Sequence, residues 1–100
     1  MIRHIVLFKL KAFASDAEKQ VVLTELKYKL EKLIHIIPEL KKIEVGLNVN
    51  SVEKWDIALD VEVENKQDLN IYANHPAHQQ IVKTMIAPIK EDRACVDFII

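Results

Sequence analysis

The chain has 100 residues, half of them apolar and 29% charged, with 14 Lys and Arg against 15 Asp and Glu. That length holds one core, so residues 1–100 read as a single domain, and the composition is that of an ordinary globular protein. A net charge of -1 argues against a nucleic-acid partner, and no apolar run approaches the ~20 residues that span a bilayer.

The first stretch, Met-Ile-Arg-His-Ile-Val-Leu-Phe, is too short in its apolar part for a signal peptide and lacks a small-residue cleavage site. The lone cysteine, Cys95, has no partner for an internal disulfide. Together these place the chain in the cytoplasm.

Residues 2–10 carry Ile2, His4, Val6, Phe8 and Leu10 on one parity and Ile5 and Leu7 on the other, which is a strand with two apolar faces. Such a strand belongs mid-sheet, covered on both sides. One layer of helices in so small a chain covers one side only, so a second subunit is expected on the other.

Ser15 and Glu18 have the spacing of a capping box, so a helix begins there. Val22, Leu26, Leu30, Leu33 and Ile37 then form its buried stripe, and Pro38 marks its end. His35, near that end, reads as a surface or capping residue. From Lys42 the period changes to two. Ile43, Val45, Leu47 and Val49 alternate with Glu44, Gly46 and Asn48, and Trp55, Ile57, Leu59, Val61 and Val63 with Asp56, Ala58, Asp60 and Glu62. The polar join Asn50–Lys54 makes the pair an antiparallel hairpin. Gly46 inside the first strand reads as a bulge or a close backbone approach.

A short helical stretch carries Leu69 and Tyr72 and breaks at His75-Pro76, where proline opens a new helix with Asn74 or His75 as its cap. His78, Val82, Met85 and Ile89 share one stripe, which turns His78 inward. After Pro88, Ala94, Val96, Phe98 and Ile100 alternate with Cys95, Asp97 and Ile99 as the last strand.

The order strand, helix, strand, strand, broken helix, strand gives two right-handed strand-helix-strand units. The resulting fold class is α+β: a ferredoxin-like four-stranded antiparallel sheet with its helices on one face. The bare face then pairs with that of a second copy, closing a dimeric α+β barrel.

Several separated stretches carry a family pattern: His4-Ile-Val-Leu-Phe-Lys9, Ile37-Pro38 leading to Ile43–Asn48, Tyr72-x-x-His75-Pro-x-His78, and Glu91–Phe98. On these the chain resembles the stress-responsive dimeric α+β barrel proteins, the Dabb family. The resemblance spans nearly the whole chain and implies a homodimer of unassigned reaction. It extends to olivetolic acid cyclase, a plant polyketide cyclase of this architecture. That enzyme's catalytic tyrosine and histidine match Tyr72 and His78, and its first-strand pocket histidine matches His4. Where it carries a further tyrosine and histidine, this chain has Leu30 and Asp56.

The residues themselves support two classes of function. A histidine on an apolar helix stripe can exchange a proton near neutral pH, and a neighbouring phenol can stabilise a developing enolate oxygen. On that reading Tyr72 and His78 are the catalytic candidates. His4, Val6, Phe8, His75 and Val82 are the candidates for binding a small apolar or carbonyl-containing molecule, in a pocket open to solvent between sheet and helices. On the other reading Tyr72 fills the core, His75 caps a helix, His78 makes a buried hydrogen bond, and the protein is a structural dimer. No metal is expected, since His75 and His78 lack a third ligand. No flavin or nicotinamide is expected without a glycine-rich phosphate loop. Cys95 reads as a buried structural thiol, and Asp56, Asp60 and Glu62 as one acidic face.

Overall fold

The computed structural model describes residues 1–100. Four strands, β1 (Ile2–Leu10), β2 (Lys42–Leu47), β3 (Ile57–Val63) and β4 (Lys90–Ile99), form one antiparallel sheet in the order β2-β3-β1-β4. The two-faced strand β1 lies between β3 and β4, as its double apolar parity requires. Helices α1 (Asp16–Glu31), α2 (Lys66–Asn74) and α3 (Pro76–Ile81) cross one face, and α3 continues into a π turn over Val82–Ile86. None of them is long and apolar enough to cross a membrane.

Facing residues in antiparallel strands share a side of the sheet, so the register sorts every side chain. Ile2, Val6, Phe8, Ile57, Leu59, Val61, Val63, Ile43 and Val45 point to the helices and are buried. The other side carries Arg3, Ile5 and Leu7 of β1, Ala58, Asp60 and Glu62 of β3, and Ala94, Val96 and Phe98 of β4. Nothing covers it: Val96 is 55% exposed and Phe98 41%. One half of this bare face is apolar and the other is ionic, with Lys42 2.9 Å from Asp60 and Arg3 3.5 Å from both Asp60 and Glu62.

Helix α1 starts where Ser15 Oγ accepts the Glu18 N–H at 3.1 Å. Its buried stripe begins at Leu23, not at Val22, which is only half-buried. The steps from Leu23 through Leu26, Leu30, Leu33 and Ile37 alternate three and four and follow a 3.6-residue turn more closely. The α-helix ends at Glu31 and tightens into a 3₁₀ turn, Lys32–His35, well before Pro38. Leu33 and Ile37 both reach the core through that turn, while His35 stays exposed.

The hairpin strands are shorter than their alternation suggests. Val49 is 98% exposed and Trp55 lies outside β3, because Asn48 folds the chain into a polar loop. Its amide donates to the carbonyl oxygens of Trp55 at 2.5 Å and Asn50 at 3.0 Å, and its side-chain oxygen accepts the Asn50 N–H at 2.8 Å. Asx geometry of this kind competes with strand pairing. Gly46 marks neither a bulge nor a tight approach. It pairs in register with Ala58, and a Cβ there would meet the Ala58 oxygen at an ordinary 3.9 Å.

The acidic row divides as well. Asp60 and Glu62 stay on the bare face, but Asp56 turns away from them. It accepts the Leu10 N–H at 2.7 Å and pairs with Lys19 at 2.7 Å, tying α1 to the end of β1.

Candidate functional site

Helix α2 is capped by Asn65, whose side chain accepts the Asp68 N–H at 2.8 Å, and it delivers Tyr72 on its last turns. The phenol faces the core and is 1% exposed. The chain breaks at His75 and restarts at Pro76, the first residue of α3, where a missing N–H goes unnoticed. His75 Nδ1 accepts the Ala77 N–H at 3.0 Å, so the structure places this candidate ligand-binding residue as a helix cap.

That break brings His78 back over Tyr72. Their ring centroids are 4.5 Å apart at an interplanar angle of 46°. His4, on β1 beneath, meets the same phenol edge-on with centroids 6.4 Å apart. Three of the four proton-carrying side chains singled out from the sequence therefore form one cluster with Tyr72 in the middle, and His75 stands apart as a cap.

Hydrogen bonding fixes the protons. His78 Nδ1 lies 3.0 Å from the carbonyl oxygen of Ala73, which can only accept, so Nδ1 carries the hydrogen and Nε2 offers a lone pair. Burial holds the His78 imidazole below its ordinary pKa. The Ala73 carbonyl opposes this, while the charges of His4, Arg93 and His75 add to it. Burial also pushes the Tyr72 phenol well above its ordinary range. At neutral pH the pair is thus a neutral base and a neutral donor. The Tyr72 hydroxyl is buried without a hydrogen-bond partner among the protomer's own groups.

The sheet adds residues that the sequence reading left aside. Asp97 faces His4 across the β1–β4 ladder, and its Oδ1 accepts from His4 Nδ1 at 2.5 Å. Cys95, two residues earlier on the same side, has its Sγ 3.5 Å from His4 Nδ1 and 3.7 Å from Asp97 Oδ1. Cys95 is exposed, not a buried thiol, because the helix layer stops short of β4. The parity of the last strand held the signal: Cys95, Asp97 and Ile99 alternate against Ala94, Val96 and Phe98. Only the register against β1 turns that parity into neighbours of His4.

The expected pocket differs from the one found. Val6 and Phe8 are 2% and 7% exposed and fill the core, while Val82 is half-buried. Tyr72 and His78 line none of the principal surface depressions. A hollow of about 280 Å³ lies in the seam between α2 and β4, bounded by Leu69, Asn70, Asp97 and Phe98. Across α3 and the π turn that continues it, the buried positions are Ile81 and Ile86. Val82, Met85 and Ile89 of the predicted stripe flank them and are half-buried. The π turn, closed by the Ala87 N–H on the Val82 oxygen at 2.8 Å, is what lets two residues five apart face the same core.

A stress-response A/B barrel domain-containing protein of Arabidopsis thaliana is 32% identical over 101 residues, covering 99% of this chain. This chain spans only 36% of that relative. A dimeric protein of unknown function with a ferredoxin-like fold from Bacteroides fragilis superposes with a TM-score of 0.89 at 46% identity, over 97% of this chain and 93% of that one. A dimeric ferredoxin-like protein of unknown function from Thermobifida fusca gives 0.79 at 30% identity, over 99% and 90% of the two chains. The model of the stress responsive A/B barrel domain, Dabb, matches residues 2–100, and the chain belongs to that family.

Proposed function

We propose that this chain acts as a homodimer in which each protomer binds a small carbonyl-containing molecule against Tyr72 and His78 and exchanges a proton on it. The observation that carries this reading is the Tyr72 hydroxyl, buried with no partner beside a histidine whose Nε2 is free to accept. An unsatisfied buried donor is costly and is commonest where a ligand or water completes it. In the proposed step, His78 Nε2 removes a proton from the carbon next to the carbonyl. The electron pair moves to the carbonyl oxygen, where the Tyr72 O–H meets the developing charge. Returning that proton to carbon or to a leaving group closes the cycle, so the chemistry asks for no cofactor.

The dimer half of the proposal rests on the uncovered face carrying Ile5, Leu7, Val96 and Phe98, and on relatives that are themselves dimeric. An exposed thiol at Cys95 suits a reducing compartment, and we place the protein in the cytoplasm. A second reading, a dimer without chemistry, is favoured by the closed packing over Tyr72.

A thermal-shift screen of carbonyl compounds on wild type, Tyr72→Phe and His78→Ala separates the two readings. Compounds that raise the wild-type melting temperature and lose that effect in both variants are the expected result. A panel that shifts nothing, or shifts all three proteins alike, overturns the ligand site and leaves the structural dimer.

A further inference from the structure

We propose that His4, Cys95 and Asp97 form a three-ligand site for a divalent cation of the zinc class, open to solvent at the uncovered edge of the sheet. The donors are His4 Nδ1, Cys95 Sγ and Asp97 Oδ1, separated by 2.5, 3.5 and 3.7 Å. Zinc bound tetrahedrally at its usual bond lengths sets N···S and S···O edges of about 3.5 Å and an N···O edge of about 3.3 Å. Two edges of the triangle already have nearly those lengths. The third is closed by the hydrogen bond between His4 and Asp97, 2.5 Å long, and opens by roughly 0.8 Å when an ion takes the place of the shared proton.

The backbone supplies the convergence. His4 and Asp97 are cross-strand partners, and Cys95 lies two positions along the same strand on the same side. Strands hold such donors more rigidly than loops do. Two of the three side chains are also free to adjust, since Asp97 is 44% exposed and Cys95 lies at the surface.

Charge and softness choose the ion. A thiolate and a carboxylate with a neutral imidazole give a charge of -2, which a divalent cation cancels. A thiolate ligand disfavours magnesium and calcium, which take oxygen, and suits zinc or cobalt. Three protein ligands leave a fourth position for water or an incoming oxygen, which is the arrangement of reactive zinc sites rather than closed structural ones. This inference stands apart from the Tyr72 and His78 reading, because its readout is spectroscopic and uses no substrate.

The test is a cobalt titration of the reduced, chelator-stripped full chain. One equivalent per chain is expected to produce the visible bands of tetrahedral cobalt and a thiolate-to-cobalt charge-transfer band, all bleached by equimolar zinc. Cys95→Ser is expected to lose the charge-transfer band. Asp97→Asn and His4→Gln are expected to weaken binding about tenfold or more, and His35→Gln to leave it unchanged. Absence of the bands in wild type, or undiminished affinity in Asp97→Asn, overturns the site. Cys95 and Asp97 are exposed, so their variants decide the matter even if His4→Gln fails to fold.

Discussion

Tyr72 is buried to 1% exposure, yet its hydroxyl has no hydrogen-bond partner among the protomer's own groups, so the residue contributes ring packing while its O–H gains no protein bond. Removing an unsatisfied buried polar atom is favourable by roughly 1 kcal/mol or more. Tyr72→Phe is therefore expected to raise the urea midpoint while abolishing any ligand-dependent shift, the pattern of a residue kept for function at the expense of stability. His78 gives a pH prediction. Burial, with His4, Arg93 and His75 nearby, favours its neutral form in the folded state. The unfolded chain takes up a proton near the ordinary imidazole value of about 6.5, whereas the folded chain does so only at lower pH. The stabilisation is thus present above about 6.5 and is lost as pH falls from there to the folded value. His78→Gln is expected to flatten the stability profile across that interval, as read from denaturation midpoints at successive pH values.

Strand β2 is an edge, and α1 guards it. Glu31 Oε2 accepts the Val45 N–H at 2.9 Å, and Lys27 Nζ donates to the Val45 oxygen at 2.5 Å and to Glu31 at 2.7 Å. Burial raises the Glu31 pKa, but the bonds from Lys27 and Val45 outweigh it and hold the carboxyl below its usual range. Glu31→Ala is expected to cost about 1 kcal/mol at neutral pH. The difference from wild type shrinks as pH falls from about 4.3, where an unfolded glutamate protonates, towards the lower folded value. Chemical denaturation at pH 7 and pH 3 checks both points. Pro76→Ala, at the first position of α3, is expected to cost no more than about 1 kcal/mol, since the proline withholds no hydrogen bond the helix would use.

These elements also mark what was legible in the chain. The double parity of β1, the Ser15 cap, the hairpin and the His75-Pro76 break all rest on local chemistry, and each lies where that chemistry puts it. The helix stripe turned His78 inward, while its contact with Tyr72 is read from the structure alone. Hidden were one pairing set by distant chain and two local backbone choices. The β1–β4 register joins Asp97 to His4, the π turn replaces one helical stripe by Ile81 and Ile86, and Asn48 ends β2 before Val49. No window of neighbouring residues contains the Asp97 partner of His4, whereas the π turn and the Asn48 loop are local departures that helical and strand periodicity do not report.

At the scale of the molecule, the bare sheet face decides assembly. Val96 is 55% exposed in the protomer, so a charge there is well tolerated by the fold alone. Between two faces it becomes a buried, unpaired ion, with a cost of roughly 3–5 kcal/mol. Val96→Asp is expected to yield a folded monomer by light scattering and circular dichroism where wild type gives twice the mass. A wild type that scatters as a monomer at micromolar concentration removes the dimer from the proposal.

The central position of β1 carries a consequence for how the chain reaches this state. The strand precedes both of its neighbours, pairing Ile2 with Val63 on one side and with Ile99 on the other. During synthesis both of its hydrogen-bonding edges stay without partners until β3 and then β4 emerge from the ribosome. Closure over such sequence separations is slow, and an unpaired apolar strand is the segment on which nascent chains associate. β4 follows β1, β2 and β3 in the chain and completes the sheet, so a ribosome stalled before β4 holds a chain in which one edge of the apolar strand β1 is still open.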